Sequence, residues 1–493
     1  MEGQEQIRRR ALQALAAVPT GCLVGEGFGE SSSGRNFGVE NPATGQELTQ
    51  VADCDHRDGE RALDAACAAQ WQWADTAPRQ RAELLRALHE HILARREEFA
   101  AVMTLEMGKP LAEARAEVAY GAEFLRWFSE EAVRINGRTT LSPEGSLRIW
   151  TMKRAVGPVL AITPWNFPLA MATRKLGPAL AAGCVGILKP SVLTPLTALA
   201  FGAACLEVGI PAGVVQVLPT SDAPAVTAPM IRDRRLRKLS FTGSTTVGKQ
   251  LLREAAGNVL RTSMELGGCA PFIVFEDADL DRALEAARIT KLRNIGEACN
   301  AANTFYVHRS LAEEFAERLA VEFDSLTVGD GLCPEVQVGP LISAQQLHRV
   351  QGLLDEAMAG GARILTRGEV PGEGYFLRPT VVAGVGAEAA IAVNEIFGPV
   401  APVVPFDDEA EVLAWANASP VGLAGYVHTA SIERALRMAE RLEVGMIGIN
   451  SATTSNVAAP FGGVKHSGLG REGGSEGIEE YLETVYVGLP TQP

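Results

Sequence analysis

The stretch Lys291-Leu-Arg-Asn-Ile-Gly-Glu-Ala-Cys-Asn300 carries a cysteine, Cys299, behind a Gly-Glu-Ala turn and six residues after Arg293. A thiolate is the strongest nucleophile that side chains offer near neutral pH, provided its surroundings favour the charged form. Taken alone, the window equally fits a small buried apolar cysteine, which is what most free cysteines are. Other polar residues are just as two-sided. Glu265, in Met264-Glu-Leu-Gly-Gly268, enters a Gly-Gly turn as a solvated or capping carboxylate would. Asn394-Glu-Ile-Phe-Gly-Pro-Val400 places Glu395 and Phe397 just before a Gly-Pro turn. Gly243-Ser-Thr-Thr-Val-Gly-Lys249 has the G-x-x-x-x-G-K spacing of a P-loop, but Gln250 stands where a magnesium-holding hydroxyl is needed. It reads as a phosphate cradle at a helix N-terminus, without ATP hydrolysis. Gly468-Leu-Gly-Arg-Glu-Gly473 matches G-x-G-x-x-G, yet no βαβ unit can follow it, so the match reads as chance.

These residues need a scaffold. With 493 residues the chain is too long for one core, and the length suggests about three structural units. The 47% apolar and 21% charged composition is that of an ordinary globular protein. A net charge of −14 argues against nucleic acid as partner. Eight scattered cysteines include no C-x-x-C pair, which points away from structural zinc or a disulfide framework and toward a reducing compartment. The first seventeen residues lack an export or membrane-spanning pattern. The first thirty-odd residues, Gly- and Ser-rich around Gly25 to Arg35, read as an irregular arm. Helical spacing follows over Asp58 to Ala74, Arg79 to Glu106 and Pro110 to Ile135. Gly137 to Met152 reads as a projecting hairpin, and the extended Ile478 to Leu489 is suited to pair with it. From Val156, apolar runs alternate with helical segments: Val159 to Thr163, Leu169 to Ala182, Gly186 to Pro190, a helix from Thr194 to Val208 with Thr194 as cap, Val214 to Leu218, and Lys238 to Thr242. Buried parallel strands joined by helices explain this alternation, and such a doubly wound sheet binds ligands at its strands' carboxyl ends.

Five windows occur together: Pro164-Trp-Asn-Phe-Pro168, Glu265-Leu-Gly-Gly268, Gly296-Glu-Ala-Cys299, Glu395-Ile-Phe-Gly-Pro399 and Pro460-Phe-Gly-Gly463. In this order they resemble the aldehyde dehydrogenase superfamily, over nearly the whole chain from about Phe37. The resemblance implies an α/β fold: a Rossmann-like cofactor domain (1–136 and 153–264), an α/β catalytic domain (265–474) and a small β oligomerisation element (137–152 and 475–493). It implies that Cys299 attacks an aldehyde, that Asn166 and the Cys299 N–H hold the oxyanion, and that Glu265 is the general base toward the resulting thioester. Cofactor contacts are implied for Thr163, Trp165, Asn166, Lys189, Ser191, Val192, Gly243, Ser244, Leu266, Glu395 and Phe397.

Within the superfamily the chain is most similar to succinate-semialdehyde dehydrogenases. The positions matching that group's carboxylate-binding residues are Arg174, Arg293 and Ser455, and guanidinium groups suit a planar anion. A single arginine would by default pair with a neighbouring acid. The three together favour a clamp for succinate semialdehyde, which glutarate semialdehyde or a sulfonated short aldehyde would also fit. Val192 stands where NAD-preferring members carry a glutamate. Its lack of charge removes discrimination against a 2′-phosphate and tilts the expectation from NAD to NADP. Glu297 replaces a common Gln, Cys269 a common Asn, and Ala301 a second cysteine. The implied protein is a cytoplasmic homodimer or homotetramer without metal, nucleic acid or membrane. A non-catalytic relative of the fold and an acylating enzyme using coenzyme A are the other readings. The joint presence of Cys299, Glu265, Asn166 and Lys189 speaks against the first, and Glu265 against the second.

Overall fold

The structure is a computed structural model that describes residues 3–491. An eight-stranded sheet runs, edge to edge, through Gly27–Gly29, Cys22–Val24, Val215–Val217, Gly186–Lys189, Val159–Ile162, Lys238–Gly243, Arg261–Leu266 and Gly468–Leu469. The strands from Val215–Val217 to Arg261–Leu266 are parallel. Their short apolar runs suit burial on both faces, and every residue of Val159–Ile162 and of the helix Pro168–Ala182 is buried. From Val159–Ile162 the chain builds outward through Gly186–Lys189 to Val215–Val217. It then returns to add Lys238–Gly243 on the other side. The connections from the two central neighbours diverge, which opens a crevice above their carboxyl ends.

A second, seven-stranded sheet orders Arg363–Ile364, Thr380–Ala383, Val400–Phe406, Ala302–His308, Ala270–Val274, Ala424–His428 and Met446–Ile449. Cys299 lies just before its Ala302–His308 strand, facing the first sheet's crevice across a cavity. The expected hairpin is present as Arg138–Leu141 and Leu147–Ala155. The terminal strand Leu482–Pro490 pairs antiparallel with it, from Leu482 opposite Ala155 to Pro490 opposite Leu147. Among the described residues, no helix is long and apolar enough to cross a membrane, and no cluster of His, Cys, Asp and Glu is arranged to hold a metal ion.

Four expectations need correction. The N-terminal arm is not irregular: Gln4–Ala16 is a helix and Cys22–Val24 joins the first sheet, because strong helix formers precede the Gly/Ser-rich stretch. Arg79 to Glu106 is two helices, Pro78–Ala94 and Arg96–Met107, broken at Arg95 (φ −102°, ψ 21°). Thr194 does not cap its helix. That helix is Leu196–Glu207, and the buried carboxylate of Glu106 accepts from Leu196 N (2.7 Å) and Thr197 N (2.8 Å). The boundary between residues 264 and 265 falls inside a strand, since Arg261–Leu266 stays in the first sheet to its end. Gly468 belongs to no phosphate loop. It lies against Met264 O at φ 134°, where a side chain would clash, as the chance reading of its motif requires.

Candidate active site

A cavity of about 300 Å³ lies between the two sheets, and nine of the expected site residues line it: Trp165, Asn166, Gly243, Ser244, Glu265, Leu266, Cys299, Glu395 and Phe397. They arrive from separate strand ends. Trp165 and Asn166 follow Val159–Ile162, Gly243 and Ser244 close Lys238–Gly243, and Glu265 and Leu266 close Arg261–Leu266. Thr163 and Lys189 sit side by side on neighbouring strand ends, with Thr163 N donating to Lys189 O at 3.1 Å. Ser191 turns the chain just beyond, accepting from Leu193 N at 3.2 Å, and Val192 is exposed.

The loop leading to Cys299 is held in a rarely populated conformation. Asn294 (φ 55°), Ile295 (φ 62°) and Gly296 (φ 76°) are successively left-handed, and a β-branched residue there carries strain of order 1–3 kcal/mol. Gly296 has no alternative, since a Cβ would run into Gly398 O. The loop is tied down from three sides. Asn294 N donates to Glu113 Oε2 (2.7 Å), Asn294 Nδ2 donates to Asn166 O (3.1 Å) and Glu297 O (2.9 Å), and Asn166 Nδ2 donates to Glu297 O (2.9 Å). Beneath it, the buried Lys109 ammonium pairs with Glu117 and donates to Asn166 O at 2.8 Å. Glu117 Oε1 also accepts the N–H groups of Leu169 (3.0 Å) and Ala170 (3.2 Å) at the start of Pro168–Ala182. An amide NH2 has two hydrogens, so the bond to Glu297 orients Asn166 while leaving one donor for a developing oxyanion.

Burial, with the neighbouring Glu265 carboxylate second, raises the Cys299 thiol well above its ordinary pKa. Burial also raises Glu265, and neither of its oxygens accepts a hydrogen bond from the described residues. Arg174 Nη2 stands 3.6 Å from Glu265, but its Nε is 2.5 Å from Glu472, and its guanidinium stacks on Phe461 at 4.2 Å. Lys175 reaches the same Glu472 at 2.6 Å. Burial opposes the charge of Glu472, yet Lys175 and Arg174 hold its pKa below the usual carboxylate range. Arg174 thus pairs with an acid through Nε, the contact a single arginine takes by default, while Tyr120 and Cys299 are among the other groups that act on its charge.

Arg293 differs. No carboxylate among the described residues lies within ion-pair distance of it, and its guanidinium rests on the rings of Phe167 (5.0 Å) and Tyr120 (5.8 Å). Ser455 shares a hydrogen bond with the Tyr120 hydroxyl, so Arg293 and Ser455 meet through Tyr120. Tyr120, Lys109, Glu113 and Glu117 were not foreseen from the sequence. The signal for the last three was their spacing at 113, 117 and 120, which puts two acids and a phenol on one face of the Leu111–Glu131 helix. Gln346 and Arg349 were missed as well. They clamp the Phe397 loop, Arg349 Nη1 donating to Ile396 O (2.8 Å) and Gln346 Nε2 to Phe397 O (2.6 Å). Phe397 itself sits at φ 53°, edge-on to Trp165 with ring centroids 5.4 Å apart.

The residues fit a nicotinamide dinucleotide. Lys189 is a buried ammonium with no ion-pair or hydrogen-bond partner among the described residues, its pKa lowered to about 8 by burial. Thr242 Oγ1 is buried without a hydrogen-bond partner among the described residues, and Ser244 opens the Thr245–Ala256 helix as its N-cap. An unneutralised cation beside a helix N-terminus suits an anionic, hydroxyl-rich ligand. Glu395 faces the same space, its pKa raised to about 7 by burial, with Oε1 accepting from Gly268 N at 3.3 Å.

Comparison with known proteins agrees with this geometry. A succinate-semialdehyde dehydrogenase of Paenarthrobacter nicotinovorans is 56% identical over 443 residues, 90% of this chain and 98% of the relative. A 3-sulfolactaldehyde dehydrogenase of Pseudomonas putida is 46% identical over 93% of this chain and 94% of its own length. The crystal structure of an E. coli NADP dependent enzyme superposes with a TM-score of 0.94 at 42% identity, covering 96% of this chain and 98% of that one. The aldehyde dehydrogenase family model matches residues 28–487, and the chain belongs to that family.

Proposed function

We propose that this enzyme oxidises succinate semialdehyde, or a similarly short anionic aldehyde, to the carboxylic acid with NADP or NAD as acceptor. The observation that carries the anionic substrate is Arg293, a guanidinium with no carboxylate at ion-pair distance among the described residues, beside the Tyr120–Ser455 hydroxyl pair. A guanidinium held against aromatic rings is oriented and partly desolvated, so a planar anion gains fully from it. The named activities of the relatives, on succinate semialdehyde and on a sulfonated aldehyde, share that anionic end.

In this reading Lys189, Ser191, Val192, Gly243, Ser244, Glu395 and Phe397 would hold the dinucleotide, which would supply the hydride acceptor. Glu265 takes the proton of the Cys299 thiol, and the sulfur attacks the aldehyde carbon. The free N–H of Asn166 and the Cys299 amide receive the oxyanion. Passage of hydride to that acceptor leaves a Cys299 thioester, and Glu265, once the thiol proton has gone to solvent, draws a proton from the water that hydrolyses it. Val192 presents no charge to a 2′-phosphate, which favours NADP. The eight-stranded sheet serves the cofactor, the seven-stranded sheet the nucleophile, and the three-stranded sheet assembly into a homodimer or homotetramer. The eight free cysteines suit a reducing cytoplasm.

A steady-state panel tests this: succinate, glutarate and sulfonated short semialdehydes against a neutral aldehyde of equal length, each with NAD and with NADP. The anionic substrates should exceed the neutral one by about 100-fold in kcat/KM, the worth of one charge-assisted contact of ~3 kcal/mol. Equal rates for the neutral aldehyde would overturn the anionic assignment.

A further inference from the structure

Glu297 stands two residues before Cys299 and is wholly buried. Its main chain is the hub of the nucleophile loop: the carbonyl accepts from both Asn166 Nδ2 and Asn294 Nδ2, and its N–H donates to Asn294 O at 2.9 Å. Its side chain points away from the cavity wall into the protein. There Oε1 accepts from Ile342 N at 3.2 Å, while Oε2 is buried with no hydrogen-bond partner among the described residues. The charged groups around it leave the side chain alone. Lys109, the cation that acts on it, is spent on Glu117 and Asn166 O, and Glu113 and Glu117 on the Leu111–Glu131 helix are themselves acids. The Ile342 segment contributes a main-chain N–H, and ahead on its own loop stands the Cys299 thiol. A carboxylate with one bare oxygen in such a place is costly. With a proton on that oxygen, the side chain becomes a neutral group of glutamine's shape and donor–acceptor pattern.

We propose that Glu297 is a positioning residue that holds the nucleophile loop only as the uncharged acid, a proton-dependent latch two residues from the thiol. Burial raises its pKa well above the ordinary carboxylate range, in the direction the geometry demands. The native state then keeps a proton that the unfolded chain has lost. The stability this confers is present in full below the unfolded pKa and is lost as pH rises through the folded one. The activity part of the test rests on Cys299 as nucleophile, whereas the melting part does not.

The experiment compares wild type, Glu297→Gln and Glu297→Ala by thermal melting at pH 6 and pH 9, and by the pH profile of kcat/KM. Gln should retain kcat/KM at pH 7 within about threefold, lose less Tm between pH 6 and pH 9 than wild type, and carry its activity further into alkaline pH. Ala, which leaves Ile342 N–H unpaired beside a hole, should lose more than about tenfold in kcat/KM. If Ala does not fold, the Gln comparison decides alone. Parallel Tm–pH curves for wild type and Gln would overturn the proposal, as would a Gln variant as impaired as Ala. An Ala variant as active as Gln would overturn it too, since the side chain would then position nothing.

Discussion

As the proposed nucleophile, Cys299 sits in a setting that resists its own ionisation, and this has a consequence in pH. Burial and Glu265 raise the thiol, burial raises Glu265, and both must shed protons for the chemistry to proceed. For an acid with a raised pKa the ionised fraction grows with pH, so kcat/KM of the Glu297→Gln variant, which has no latch proton to lose, should climb from pH 6 toward pH 9; a flat profile in matched buffers would contradict this. Cys299→Ala should abolish turnover yet leave dinucleotide affinity unchanged in a calorimetric titration. At the other end of the substrate, Arg293→Met keeps a long side chain against Phe167 and Tyr120 but removes the charge. It should cost the anionic substrate about 10- to 100-fold in kcat/KM, ~1.5–3 kcal/mol, and leave a neutral aldehyde nearly unaffected. Val192→Glu puts a carboxylate near Lys189 on an exposed position. NADP affinity should fall relative to NAD by about tenfold or more, read from the two dissociation constants.

Between residue and fold, the elements that hold the site are joined by buried acids rather than by local signals. Glu106, from the end of the Arg96–Met107 helix, caps the Leu196–Glu207 helix in place of the expected Thr194, and its pKa is raised to about 7 by burial. Glu106→Ala leaves two helix N–H groups and the Thr197 hydroxyl without their acceptor, and should lower unfolding free energy by about 2–4 kcal/mol in chemical denaturation. The sign with pH follows from the raised value. The wild-type advantage is fullest below the unfolded carboxyl pKa of about 4.5 and shrinks as pH rises through 7, so the gap between the proteins should be wider at pH 5 than at pH 8. The Lys109, Glu113 and Glu117 group does the corresponding work under the nucleophile loop, tying Asn166, Asn294 and the Pro168–Ala182 helix to one face of Leu111–Glu131.

At the scale of the molecule, the three-stranded sheet is the part without a core of its own. Alternate residues of a strand share a face, and the pairing register puts Leu141, Trp150, Met152 and Leu489 on the same one, with Trp150 45% and Met152 44% exposed. Large apolar side chains in a row on a projecting sheet suit burial against another copy. Replacing Trp150 and Met152 together with Asp should shift sedimentation velocity toward a smaller species while circular dichroism keeps the α/β spectrum; an unchanged sedimentation coefficient would remove this face from the assembly.

The sequence by itself determined the architecture and most of the cavity. Its apolar runs are short and its helices alternate with them, so a doubly wound sheet was the economical solution. The windows holding Asn166, Gly243, Glu265, Cys299 and Glu395 fall at strand ends or turns, where such sheets present ligands. What it could not carry were pairings across long separations and the degree of burial. Whether Arg174 would meet a substrate or an acid depended on Glu472, 298 positions away, arriving at 2.5 Å. Tyr120 and Ser455 came together over 335 positions. The protonation of Cys299, Glu265 and Glu297 is likewise a property of the packed interior, because it is loss of water, not residue type, that sets the cost of their charge.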